Sequence, residues 1–213
     1  MLKKIAKTIA VIVGVVGIAV VAGWIFDIPA LKSILPQFVT MKFTTAVCFV
    51  LSGITLYFSA RVGQKQNEWE DLILLFVNFF ILLIMVSLII SVFVGIKTGM
   101  EDLFVQEGTG AINTVVPGRP ALITMICFVL VACIGLLVLL KRENLWRIAT
   151  ICLGAAVAFF GSMAVVGYIV YMPVLYGQIN NFSTAVALHT AILFVLLGVG
   201  FIFTGIRVTS DNL

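Results

Sequence analysis

Charged residues are scarce in this sequence. Of its 213 residues, 13 are Lys or Arg and 9 are Asp or Glu, together 10% of the chain, whereas soluble domains carry about 25%. Hydrophobic residues make up 62%, and the mean hydropathy is +1.25. No water-soluble fold of this length has an interior for so much apolar surface, so the composition predicts an integral membrane protein in contact with the lipid bilayer. The basic residues are scattered along the chain, so we expect no nucleic-acid partner.

Motifs of catalysis and metal binding are also missing. The chain contains no G-x-S-x-G, H-E-x-x-H or P-loop sequence and no C-x-x-C pair. The sequence therefore predicts no enzymatic activity, no metal site and no evident cofactor. The four cysteines all lie within apolar segments, where a packing role is expected; they are Cys48, Cys127, Cys133 and Cys152.

Six long apolar segments organise the chain. About 18 uncharged apolar residues suffice to cross a bilayer, and a helix satisfies its own backbone polar groups there. We therefore predict an all-α integral membrane protein, a single membrane domain over residues 1–213 with six transmembrane helices. We expect no soluble output domain within these residues. The predicted spans cover approximately residues 5–26, 43–60, 72–96, 121–140, 148–171 and 184–206.

The positions of lysine and arginine predict the orientation. Nine basic residues fall at one set of segment ends and four at the other. Cytoplasmic ends are enriched in Lys and Arg, so both termini are expected in the cytoplasm and the chain in the cell membrane. The nine are Lys3, Lys4, Lys7, Arg61, Lys65, Lys141, Arg142, Arg147 and Arg207, and the four are Lys32, Lys42, Lys97 and Arg119.

Three of the apolar segments begin with the same pattern. Residues 45–53 read TAVCFVLSG, residues 124–132 read TMICFVLVA, and residues 190–198 read TAILFVLLG. In each, the Thr, the Phe four residues later and the small residue four further on share one helix face, which suits close helix packing. The pattern predicts three repeated helical hairpins, approximately 5–60, 72–140 and 148–207. The predicted packing residues are Thr45, Phe49, Gly53, Thr124, Phe128, Thr190, Phe194 and Gly198.

Polar residues of the predicted outer loops are the candidates for ligand binding, because three such loops can converge on one vestibule. Arg119 at the mouth of a span is suited to hold a carboxylate or phosphate with two hydrogen bonds. The alternative is snorkelling, with the guanidinium in water. We expect the acidic residues near it to form a solvated loop. The candidate ligand-binding residues are Arg119, His189, Tyr171, Tyr176, Asn181 and Asp27.

Two further polar residues lie within apolar segments. His189 is the only histidine, placed about two turns into the last predicted span; it is expected to bond a carbonyl of a neighbouring helix or loop, with proton sensing as the alternative. A single histidine excludes haem bound by two histidines of one chain; haem or a metal held by His189 with a methionine, or between subunits, stays open. Asn78 is expected to hydrogen-bond to another helix, with ligand binding as the alternative.

The repeated segments resemble a known family. Residues 38–56, FVTMKFTTAVCFVLSGITL, are similar to "m-x-x-n-T-A-l-c-F-l-L-s-G-l-x-L", and residues 167–200 to "G-Y-l-y-g-x-p-x-L-Y-g … m-A-L-H-T-A-l-a-F-l-L-l-G-l-G". These patterns are typical of the multi-helix membrane sensor region (MASE-like) that precedes PAS, histidine-kinase and diguanylate-cyclase modules in prokaryotic signalling proteins. The second repeat departs from the family, because residues 120–123 read PALI where "M-S-P-N" is usual.

Two functional interpretations are consistent with the sequence. The resemblance implies a sensory input module that detects a signal at its outer loops or within the bilayer and passes it to a cytoplasmic partner or output domain. Such a module is expected to form a homodimer or to bind a partner signalling protein. The alternative is a structural or assembly subunit of a larger membrane complex. The first predicts that substitutions at the outer loops change a response, and the second predicts stable association with another protein.

Overall fold

The computed structural model describes residues 1–35, 37–61, 67–102, 105–108, 114–140, 143–178 and 183–210, without the side chains of 143–144 and 207–210. These residues form α-helices joined by short segments, which confirms the all-α prediction. The elements are α1 (Leu2–Ile25), α2 (Pro29–Lys32), α3 (Phe43–Ser59), α4 (Glu68–Val94), α5 (Leu122–Leu139), α6 (Glu143–Ile169), a 3-10 helix (Pro173–Tyr176) and α7 (Leu188–Ser210).

Five of the helices are long and apolar enough to cross a membrane, namely α1, α4, α5, α6 and α7. They indicate a multi-pass membrane protein, because no soluble fold leaves so many large apolar side chains exposed along its helices. The remaining long helix, α3, is apolar but has 17 residues. At 1.5 Å per residue it is about 25 Å long, slightly shorter than the hydrocarbon core of a bilayer.

The last predicted span began too early in the sequence. Residues 184–187 are not helical, because the backbone N–H of Val186 donates 2.8 Å to the carbonyl of Tyr176 and fixes this stretch to the preceding loop. Helix α7 therefore begins at Leu188, and His189 lies in its first turn rather than two turns inside. Helices α4 and α6 instead begin about one turn earlier than predicted, since their polar first residues continue the helix beyond the apolar stretch.

Consecutive long helices pack as hairpins: α1 against α3, α4 against α5, and α6 against α7. Helix α3 also contacts both α5 and α7, so the second helices of the hairpins lie in the middle. Phe49, Phe128 and Phe194 meet there, with ring centroids 4.9 to 5.0 Å apart in all three pairs. Each is at most 1% exposed. We call these three rings the phenylalanine triad.

Glycines allow the paired helices to approach closely. A Cβ on Gly53 would lie 2.8 Å from the carbonyl oxygen of Ala10 on α1, and a Cβ on Gly198 would lie 2.5 Å from that of Gly154 on α6. Both distances are shorter than any real contact, so a side chain at either position separates the hairpin. The α1–α3 and α6–α7 hairpins therefore depend on glycine at the same place in their motifs.

We expect the Gly198→Ala substitution to destabilise the protein. The added methyl group meets the α6 backbone, and overpacking of this kind costs about 1–3 kcal/mol. The matched control is Gly14→Ala in α1, because a Cβ there meets no atom within 4 Å. Thermal unfolding in detergent is expected to show a lower midpoint for the Gly198 variant and no loss for the Gly14 variant. Equal midpoints would contradict the packing role of Gly198.

Candidate functional site

The guanidinium of Arg119 is enclosed at the end of α4. Its Nη2 donates 2.8 Å to the Oε1 of Glu101, 2.5 Å to the Oγ of Ser91 and 3.0 Å to the carbonyl of Ile96. The Arg119 and Glu101 side chains are 10% and 0% exposed. The snorkelling interpretation is therefore wrong, because Nε and Nη2 both donate to a buried carboxylate oxygen of Glu101, which holds the guanidinium away from water.

A second ion pair lies next to the first. The Nζ of Lys42 donates 2.6 Å to both carboxylate oxygens of Glu107 and 2.8 Å to the Oγ1 of Thr114. Glu107 also accepts the backbone N–H of Gly118 at 2.8 Å, and Gly118 directly precedes Arg119. Both pairs are buried, so the prediction of a solvated acidic loop is wrong for Glu101 and Glu107. The first pair fastens the segment between α4 and α5 to the end of α4, and the second fastens it to Lys42 at the start of α3.

Glycine is required between the two ion pairs. Gly118 has φ +77°, and a Cβ there would lie 2.2 Å from the carbonyl oxygen of Glu101. A residue with a side chain is strained in this conformation and has no space. The turn at Gly118 thus directs its own N–H to Glu107 while the next side chain reaches Glu101.

Each ion pair contains a group whose pKa lies below its ordinary value, for a different reason in each pair. Burial raises the pKa of Glu101, but hydrogen bonds from Ser91 and Arg119 and the Arg119 charge outweigh it and hold this pKa at about 2. For Lys42, burial lowers the pKa. The charge of Glu107 and its hydrogen bond with Lys42 act in the opposite direction, but burial is the larger effect and the pKa stays below its ordinary value. At neutral pH the Glu101 carboxylate is therefore fully ionised and its pairing with Arg119 is complete.

Acid is expected to destabilise the protein through Glu101. Because the folded-state pKa of about 2 lies below the ordinary value of 4.5, this stabilisation is complete above pH 4.5 and is lost as the pH falls towards 2. The thermal midpoint should stay level from pH 7 to about pH 5 and then fall through that window. Glu101→Gln should start lower and fall less steeply. Parallel profiles for the two proteins would show that another group governs the acid response.

A small pocket with aromatic walls lies near the ends of the first and third hairpins. It has a volume of about 180 Å³, and its walls come from the segment before α3, from the end of α6 and from the 3-10 helix. The Tyr168 ring stacks on Tyr176 with centroids 4.5 Å apart, and Phe38 lies 5.2 Å from Tyr168. We call it the tyrosine pocket; its lining residues are Gln37, Phe38, Val39, Tyr168, Tyr171 and Tyr176.

Similar turns build the first and third loops. Asp27 and Tyr171 follow α1 and α6 with φ of 53° and 55°, a left-handed conformation that ends helices. A proline then starts the next short helix in each loop. The N–H of Ile28 donates 2.8 Å to the carbonyl of Gly23, and the N–H of Met172 donates 2.9 Å to that of Gly167. The turn carries the exposed Tyr171 ring to the rim of the tyrosine pocket.

An aromatic side chain fastens each of these two loops. The Nε1 of Trp24 donates 2.8 Å to the carbonyl of Met41, and the hydroxyl of Tyr168 donates 2.7 Å to that of Val186. Met41 and Val186 each lie four residues before the threonine that begins the repeated motif. The residue at the same position in the second repeat is Pro120. Proline has no N–H, so it cannot make the backbone bond that Met41 and Val186 donate to their loops. In the second repeat the Arg119 side chain makes the connection instead.

The structure separates the predicted ligand residues. Tyr171 and Tyr176 come together in the tyrosine pocket, whereas Arg119 binds Glu101. Asp27 pairs with Lys32 at 2.5 Å on the surface, with its side chain 91% exposed, and that pairing lowers the Asp27 pKa. Asn181 lies outside the described residues.

The hydrogen bonds predicted for the two polar residues within apolar segments are found in one case and not in the other. Asn78 accepts a hydrogen bond of 3.0 Å from Thr55 on α3, as expected for a bond to another helix. Both ring nitrogens of His189 are buried, and neither has a hydrogen-bond partner within the described ranges. The expected carbonyl bond of His189 is thus not found there.

Sequence reasoning missed Gln37, Phe38 and Tyr168 as pocket residues. One signal was present, since an aromatic residue follows glycine at the end of both α1 and α6, in Gly23-Trp24 and Gly167-Tyr168. In the part of the chain that the structure describes, no three His, Cys, Asp or Glu side chains come together as a metal site. Comparison with protein-family models, with curated proteins and with solved structures finds no match for this chain.

Proposed function

We propose that the protein is a membrane-embedded sensory input module. It has six transmembrane helices in three repeated hairpins, with both termini on the cytoplasmic side of the cell membrane. A small molecule bound in the tyrosine pocket on the outer side changes the packing of the hairpins. The inner helix ends pass this change to a cytoplasmic partner or output domain. The observation that carries the proposal is the tyrosine pocket, whose walls belong to two different hairpins.

Equivalent contacts support the repeated hairpins. The glycines at the ninth motif place, Gly53 and Gly198, meet the preceding helix in the same way. The turns after α1 and α6 share their left-handed residue and their proline. The phenylalanine triad takes one ring from each motif. If the three hairpins are related, α3 is the equivalent of α5 and α7. This equivalence supports α3 as a sixth transmembrane span, although the helix has only 17 residues.

The packing offers a route from the pocket to the inner side. A ligand between Phe38 and Tyr176 touches both the segment that enters α3 and the loop that enters α7. Closely packed helices respond to such a change by shifting about 1–2 Å rather than by deforming. The phenylalanine triad joins α3, α5 and α7, so a shift of one is felt by the others. The proposed output partner, a signalling protein or a second copy of the chain, reads the position of the inner ends.

A substitution that fills the pocket tests the proposal without knowledge of the ligand. Gln37→Trp places a large ring in the tyrosine pocket, and Leu35→Trp, two residues away at an exposed position, is the matched control. The full chain is fused after α7 to a cytoplasmic histidine-kinase reporter. We expect Gln37→Trp to fix the reporter output at a new level and Leu35→Trp to leave it unchanged. Unchanged output from both, with another membrane protein co-purifying, would favour the assembly-subunit alternative.

A further inference from the structure

An open groove runs along the outside of the first hairpin. It has a volume of about 440 Å³ and lies between α1 and α3, with Gly14, Val15 and Ile18 on one wall and Val50, Ile54 and Tyr57 on the other. Val15 and Ile18 are each 58% exposed, so the groove faces the surroundings of the protein rather than its core. The missing side chain at Gly14 deepens it, since a Cβ there would meet no atom within 4 Å.

One end of the groove is strongly basic. Lys3, Lys4 and Lys7 all lie in the first two turns of α1, immediately before the wall residues. The Nζ of Lys7 lies 5.4 Å from the ring centroid of Tyr57, so a cation–π contact holds an ammonium at the groove end. Helix α1 itself contains no Asp or Glu. The groove is thus apolar along its length and positive at one end.

We propose that this groove binds a phospholipid with a net negative headgroup. An acyl chain lies along Gly14 between α1 and α3, and the phosphate lies beside Lys7, with Lys4 adding attraction. We choose an anionic lipid on the basis of charge complementarity, because basic residues at the membrane surface attract anionic lipids. The apolar groove next to these residues accepts the lipid's acyl chain. The site is separate from the tyrosine pocket and does not depend on the proposed sensory function.

A second groove provides an internal control. It lies between α6 and α7, has a volume of about 320 Å³, and is lined by Ser162, Val165, Val166, Ile192, Val195 and Leu196. No basic side chain is among these lining residues. It is therefore expected to hold lipid chains without preference for headgroup charge.

Native mass spectrometry of the full chain in detergent tests the proposal, with phosphatidylglycerol and phosphatidylcholine of identical chains as probes. We expect the first phosphatidylglycerol to bind more tightly than phosphatidylcholine, and Lys7→Gln to weaken it about fivefold. Gly14→Phe, which fills the groove, should remove that first bound lipid, whereas Val166→Phe in the second groove should leave it. Gly14→Ala controls for folding.

Three results would overturn the proposal. The first is equal binding of the two lipids by the unsubstituted chain. The second is an unchanged preference for phosphatidylglycerol in Gly14→Phe. The third is a dimer that Gly14→Phe dissociates, which would identify the groove as an interface between two copies of the chain.

Discussion

Replacing Arg119 with alanine is expected to destabilise the protein by about 3–5 kcal/mol. The substitution leaves the Glu101 carboxylate, whose side chain is 0% exposed, without its cationic partner. It also removes the donor that joins Ser91 and Ile96 to the start of α5. Denaturant or thermal unfolding in detergent measures the loss. The midpoint should fall well below that of the unsubstituted protein.

A neighbouring ion pair provides the control for Arg119. Lys97 and Asp102 lie 3.5 Å apart with side chains 51% and 31% exposed, and pairs of this kind contribute at most about 1 kcal/mol. Lys97→Ala should therefore change the midpoint little. Removing both buried partners, in Arg119→Met with Glu101→Leu, should recover much of the stability lost in the single variant. Equal losses in Arg119→Ala and Lys97→Ala would contradict a buried, energetically important pair.

Replacing Phe128 with alanine is the other change with a large expected effect, about 3–5 kcal/mol. Its ring is 0% exposed and lies 4.9 Å and 5.0 Å from the rings of Phe49 and Phe194. Truncation leaves a cavity where the three hairpins meet, and a single site then weakens contacts of all three. Phe76→Ala in α4 is the matched control, because that ring is 68% exposed. A comparable loss of stability in both variants would contradict a central role for the triad.

The helices were predictable from the sequence because apolar length and periodicity are local properties. The repeated motif also indicated which face of each helix packs, and Phe49, Phe128 and Phe194 do meet. Helix ends were less predictable. The start of α7 is set by a bond from Val186 to Tyr176 in the preceding loop, and no local pattern shows that bond.

The site was predictable only in part, since it depends on contacts between distant segments. Arg119 was singled out as a cation at a helix end, but its partner Glu101 lies 18 residues earlier, and no local spacing in the sequence pairs the two. The tyrosine pocket combines Phe38 with Tyr168 and Tyr176, more than 100 residues later in the sequence. Such pairings follow from how the hairpins close around the triad, which composition and spacing do not specify.

The proposed sensory function requires the tyrosine pocket to be coupled to the helix ends on the opposite side of the protein, and a distance between two of those ends is the quantity to measure. Spin labels at Trp69→Cys on α4 and Ile206→Cys on α7, in a background with Cys133→Ser and Cys152→Ser, report that distance by pulsed electron paramagnetic resonance. If the two are coupled, Gln37→Trp is expected to shift the distance by about 1–2 Å and Leu35→Trp to leave it unchanged. Identical distance distributions in the unsubstituted, Gln37→Trp and Leu35→Trp proteins would show that the pocket and these helix ends are not coupled.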